Sequence, residues 1–180
     1  MDAAAGKERM IMKCTSAEAA KLLRKLNEDY EALCIHEEQS KEFLAASGED
    51  IESVRPAYDY ESVQARMDEL EAKIRKVKHT INIFNATHIV TGFDMTIDQM
   101  LVYIPQLTNR KRKLSIMRNK LPKTRDHAST AGRMGIIDYR YTNYDIEKAD
   151  ADYTAVSELL AKAQTALDVV NNTETMELDL

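Results

Sequence analysis

Apolar residues recur at intervals of three and four along four long segments of this chain. Leu70, Ile74, Val77, Ile81 and Phe84 form one series, and Val156, Leu160, Ala163, Leu167 and Val170 form another. That spacing holds the side chains on one side of a helix, so it predicts amphipathic helices with a buried face. Two further helices open on capping boxes. Thr15-Ser16-Ala17-Glu18 starts one that should run to about residue 45, and Thr96-Ile97-Asp98-Gln99 starts one to about residue 120. The latter carries a stripe of Ile97, Leu101, Ile104, Leu107, Leu114, Met117 and Leu121, and Pro105 inside it should introduce a kink.

The chain also superimposes on itself when shifted by 86 residues. Tyr58-Asp59-Tyr60-Glu61 falls on Tyr144-Asp145-Ile146-Glu147, and Asn85-Ala86-Thr87 falls on Asn171-Asn172-Thr173. Asp59 and Asp145 suit the N-cap, with Glu61 and Glu147 in the first turn beside the positive end of the helix dipole. Asn85 and Asn171 suit a left-handed C-terminal position. Short alternating runs flank both helices: 53–57 and 88–91 around the first, 136–142 and 174–180 around the second. Every second residue of Ile137-Tyr139-Tyr141 and Met176-Leu178-Leu180 is apolar or aromatic, as in strands with one covered face.

The expected fold is therefore α+β and mainly α. Four long helices form two antiparallel hairpins from a duplicated helix-strand-helix-strand unit, with a small sheet at one end. Residues 1–11 read as a flexible leader, with Met10 or Met12 as an alternative start. Residues 12–180 read as one domain of two pseudo-repeats, about 12–92 and 93–180.

Composition narrows the class. Five Gly and three Pro in 180 residues leave few turns for an all-β fold, and the longest apolar runs are too short to span a membrane. No secretory signal is visible, and two cysteines are too few for a disulfide framework, so a cytoplasmic setting is expected.

Charge is the strongest functional signal. Ten of the 25 Lys and Arg residues lie between Arg110 and Arg140, where Asp126 and Asp138 are the acids. That window carries +8, while the remaining 15 basic and 28 acidic residues sum to −13. Lys111 and Arg118 share the helical rows of Leu107 and Leu114, and a cation beside a core stripe needs a partner or an anionic ligand. Residues 121–133 form a loop with Lys123, Arg125, His127 and Arg133, of a kind suited to phosphate oxygens or to plain mobility. After it, Arg140 and Tyr141 should face opposite ways.

Catalytic signals are missing from the sequence. His36 beside Glu37 and Glu38 reads as a solvated helix face, and His79 and His88 have no matched His in the second repeat. No phosphate loop, dinucleotide fingerprint, zinc-protease helix or nucleophile elbow occurs. No enzyme activity, metal site or cofactor is expected.

Several runs resemble a known family: Lys78–Asn85 (KHTINIFN), Thr96–Leu101 (TIDQML), Arg140–Ile146 (RYTNYDI), and Leu167-Asp168 through Asn171-Asn172-Thr173. Together they are similar to the uncharacterised septicolysin-like small helical proteins of bacteria and phages, over about residues 15–180. The resemblance implies an Arg on the preceding helix, matched by Arg110. It departs from some relatives at Asn143 and Tyr144, where those have Arg and Ser. The family label implies a cytolysin, yet the sequence shows neither an amphipathic pore-forming hairpin nor a membrane-length segment.

These features give the functional expectation of a non-catalytic binding protein for a small phosphorylated ligand, with a nucleotide the favoured class. A phage-encoded sponge that sequesters a nucleotide immune signal in the host cytoplasm fits this expectation. The site would draw on Arg110, Lys111, Arg118, Arg133, Tyr139, Arg140, Tyr141 and Tyr144, with cations for phosphate and rings for a base. A homo-oligomer is expected, with no membrane partner. The alternatives are an oligomeric interaction or assembly protein, or nucleic-acid binding by the basic 110–140 stretch.

Overall fold

The computed structural model describes residues 11–126 and 138–180. They run β1 (Ile11–Thr15), α1 (Ser16–Ser40), the single turn α2 (Ile51–Val54), α3 (Tyr60–Thr87), β2 (Ile89–Val90), β3 (Met95–Thr96), α4 (Ile97–Arg118), β4 (Lys123–Arg125), β5 (Tyr139–Tyr141), α5 (Ile146–Thr173) and β6 (Thr175–Asp179). The fold is α+β and mainly α. The small sheet takes the form of three two-stranded antiparallel pairs among the described residues: β1–β6, β2–β3 and β4–β5. No helix among these residues is long and apolar enough to cross a membrane. The chain divides into two compact units, one reaching to His88 and including Val169–Leu180, the other Ile89–Asp168.

In the first unit, β1 and β6 pair from Ile11↔Asp179 to Thr15↔Thr175. Alternation sends Cys14, Met176 and Leu178 to the same core as Ala19 and Leu26 of α1 and Leu70 and Val77 of α3. Burial of each large apolar side chain there contributes about 1.5–3 kcal/mol. The same burial pushes the Cys14 thiol pKa upward, with Glu18 adding to the effect. Farther along, α1 and α3 exchange polar contacts. Tyr30 donates to Glu71 at 3.0 Å, while Tyr58 and Gln64 both donate to Oε1 of Glu37, at 2.9 and 2.7 Å.

The buried and half-buried positions of α3 include Val63, Met67, Leu70, Ile74, Val77, Ile81 and Phe84. Those of α5 include Ala149, Tyr153, Val156, Leu160, Ala163, Leu167 and Val170. Both series alternate steps of four and three, the seven-residue repeat of helices that pack along a continuous seam. On α4 the seam runs Ile97, Met100, Ile104, Leu107, Lys111, Leu114, Arg118. Met100 is fully buried and Leu101 is 49% exposed, so Met100 takes the place that the sequence reading gave to Leu101. Leu121 is exposed as well, beyond the end of the helix.

Both capping boxes are present, Thr15 with Glu18 and Thr96 with Gln99. Asp145 caps α5 by accepting from Lys148 N at 3.1 Å, whereas Asp59 starts α3 without a side-chain bond. Neither Asn85 nor Asn171 ends its helix. Each lies two residues inside, because the backbone stays helical to Thr87 and Thr173. The run 53–57 forms no strand: its first two residues end α2, whose N-terminus Asp50 caps by accepting from Glu52 N, and 55–57 lie outside any element. Helix α4 passes Pro105 as one unbroken element. Between β2 and β3 the chain turns through Gly92 at φ 86°, a conformation that suits a residue without a Cβ.

Candidate functional site

From residue 99 to residue 125 the chain has eight cations and no carboxylate, so any acid that meets them comes from elsewhere in the sequence. Arg118 finds one. It donates to Asp150 on α5 at 2.9 Å, and its guanidinium lies 4.1 Å from the centre of the Tyr153 ring. The Lys111 ammonium sits 5.8 Å from the same ring. Both cations of the α4 seam thus rest on one aromatic face of α5, a favourable arrangement for partly dehydrated cations.

Two other residues of the expected site hold the fold in place. Tyr144 donates to Met117 O at 2.9 Å, a carbonyl in the last turn of α4 that also accepts from Lys120 N. Arg140 donates to Asp126 at 3.1 Å. Arg110 is exposed and has no ion pair among the described residues. Arg133 lies outside the described residues.

The remaining two, Tyr139 and Tyr141, stand on β5 in a ribbon with β4. The register pairs Lys123 with Tyr141, Thr124 with Arg140 and Arg125 with Tyr139. Paired residues of an antiparallel ladder share a face, as do residues two apart along a strand. One face therefore presents Lys123, Arg125, Tyr139 and Tyr141, and the other presents Thr124 and Arg140. The Lys123 ammonium lies 4.0 Å from the Tyr139 ring centre and 5.4 Å from that of Tyr141. Tyr139 and Tyr141 are 45% and 64% exposed, and Arg125 has no ion pair among the described residues. The face is a two-by-two patch of cations and rings, open to water.

The ribbon is anchored at its base. Thr142 N donates to Pro122 O at 3.1 Å there, and the Tyr144–Met117 bond ties the following chain to α4, while at the far end of the ribbon Asp126 N donates to Asp138 O at 2.9 Å. From the sequence alone Lys123 and Arg125 belong to a loop and lie outside the expected site. The available signal was that Lys-Thr-Arg alternates in step with Tyr-Arg-Tyr.

The fold has a solved counterpart. A crystal structure of a functionally unknown conserved protein from Corynebacterium diphtheriae is similar, with a TM-score of 0.56 and 14% identity, over 93% of this chain and 99% of that one. At that identity the likeness concerns the fold alone. No family model matches the chain, and no curated protein matches it significantly.

Elsewhere, a shallow hollow between α1 and α3 is lined by Asp29, Ala32, Leu33, His36, Arg66 and Leu70, with none of the 110–140 cations. Among the described residues no group of His, Cys, Asp and Glu is placed to hold a metal ion.

Proposed function

We propose that this protein is a non-catalytic binding protein whose ligand carries both phosphate and an aromatic base, with a nucleotide as the recognised unit. The β4–β5 ribbon face is the contact surface. The supporting observation is the cross-strand register that sets Lys123 and Arg125 beside Tyr141 and Tyr139. Arg125 offers a planar fork for phosphate oxygens. The two rings offer π-faces to a base, and Lys123 between them can meet phosphate without leaving the rings. Lys111, Arg118 and Tyr144 act as supports that hold the α4–α5 pair and the root of the ribbon, and Arg140 supports the ribbon's far end through Asp126.

Isothermal titration calorimetry with AMP, ribose 5-phosphate and adenosine tests this reading. AMP should bind more tightly than either fragment, and Lys123→Ala/Arg125→Ala should abolish the heat. Equal binding of AMP by that variant would refute the reading.

A second reading, an interaction or assembly protein, draws on Leu101, Val102 and Ile116, which are exposed on one side of α4. Sedimentation equilibrium over a wide concentration range tests it. A mass that stays at one chain and does not change on Ile116→Glu would exclude it.

A further inference from the structure

Resting on the nucleotide reading, we infer that the natural ligand is a single-stranded nucleic acid laid across the ribbon face and the outward side of α4. Two independent observations point this way, the spacing of the rings and the spread of unpaired charge.

Tyr139 and Tyr141 are two residues apart on one strand, so their Cα atoms are separated by about 7 Å along it. Stacked bases in a duplex strand rise by about 3.4 Å per nucleotide. Rings spaced at about twice that rise meet neighbouring bases only when the strand is stretched and unstacked. Lys123 and Arg125 repeat the same interval on β4, in register with the rings. The patch therefore presents a ring and a cation per step, twice over. Exposed rings and an open face suit a strand passing through, because a closed pocket would shut off both its ends.

The charge extends well beyond the reach of one nucleotide. Arg110, Arg112, Lys113 and Lys120 are exposed, and none has an ion pair among the described residues. From Arg110 to Lys120 the helix and its last turn cover about 15 Å. A mononucleotide gathers its phosphates at one end and leaves most of these cations unneutralised. A strand with a phosphate at every step can meet several of them. The base of the ribbon follows directly, since β4 starts five residues after α4 ends. A duplex fits less well, because its bases are stacked and turned away from the rings.

Fluorescence anisotropy on the full chain tests the inference, using a labelled twelve-nucleotide oligo(dT), the same strand in a duplex, and AMP as competitor. Single strand should bind at least tenfold more tightly than duplex. Its log–log salt slope should be steeper than about −2, which corresponds to three or more phosphates at roughly −0.7 each. Arg112→Ala/Lys113→Ala/Lys120→Ala should make that slope shallower, while AMP binding stays within twofold. Tyr139→Ala/Tyr141→Ala should weaken the single strand at least tenfold, with an unchanged melting temperature showing that it folds. Equal affinity for duplex, or a salt slope unaffected by the triple variant, overturns the inference and leaves nucleotide binding standing. Binding of neither oligonucleotide nor AMP overturns both.

Discussion

Arg118 and Glu37 occupy matching seam positions on α4 and α1, and carry opposite charge. Measured from the capping-box threonines Thr15 and Thr96, each lies 22 residues on. Their partners match as well: Gln64 donates to Glu37 in the first repeat, and Asp150, 86 residues after Gln64, accepts from Arg118 in the second. Tyr58 and Tyr144 also correspond, but Tyr58 donates to Glu37 whereas Tyr144 donates to Met117 O. One position in each hairpin has been kept polar, with donor and acceptor exchanged. An exchanged pairing of α1 with α5 would set Glu37 against Asp150, two acids, so the inversion favours the observed partners.

A polar seam residue of this kind contributes to pairing more than to stability. Arg118→Leu should therefore change the unfolding free energy by no more than about 1 kcal/mol, since Leu gains burial in the seam and the lost ion pair is partly exposed. Urea denaturation measures this. Nucleotide affinity should be unchanged, because Arg118 is placed as a support.

Glu37→Ala should be costlier. It leaves the Tyr58 hydroxyl and the Gln64 amide without their shared acceptor in a part-buried setting, at about 1–3 kcal/mol. The same denaturation series, with Glu37→Gln as the partial rescue, gives the comparison.

The phenol of Tyr30 titrates late. Its hydrogen bond to Glu71 and the nearby carboxylate charge hold its pKa up at about 12. A group whose folded pKa is raised contributes stability that is complete below its unfolded pKa and disappears as pH rises through the folded one. The Tyr30–Glu71 contribution should therefore persist to about pH 10, the ordinary phenol value, and vanish toward pH 12. Burial and the hydrogen bond to Glu37 raise the Tyr58 phenol as well, so absorbance titration at the phenolate band should show late ionisation whose last part Tyr30→Phe removes.

Cys14 is buried with its thiol pKa pushed up, and Cys34 is half-buried. Thiolate is the reactive form, so iodoacetamide at neutral pH should label Cys34 first and Cys14 only when the β1–β6 core opens. Mass spectrometry of the partly labelled protein reads the order directly. Faster labelling of Cys14 would contradict the packing described.

The helices could be read from the sequence because their causes are local. Thr15 and Thr96 needed only a Glu or Gln three residues on, and the seams of α3 and α5 needed only alternating steps of three and four. The details that escaped depend on partners distant in sequence. Nothing local distinguishes Met100 from Leu101, since the choice depends on where the rest of the unit packs. The basic stretch around Lys123 looked like a loop because a three-residue strand gains its identity from its partner. For the same reason the face shared by Lys123, Arg125, Tyr139 and Tyr141 was hidden until the register was known. Arg118 could be flagged as needing a partner, but Asp150, 32 residues away, could not be named.

The contact surface can be observed directly in NMR spectra of protein with labelled tyrosine rings, assigned with Tyr139→Phe and Tyr141→Phe. On titration with AMP, the Tyr139 and Tyr141 ring signals should move together and saturate, while those of Tyr30 and Tyr58 stay fixed. Saturable shifts at Tyr30 and Tyr58, with Tyr139 and Tyr141 unmoved, would place the ligand elsewhere and remove the ribbon as its site.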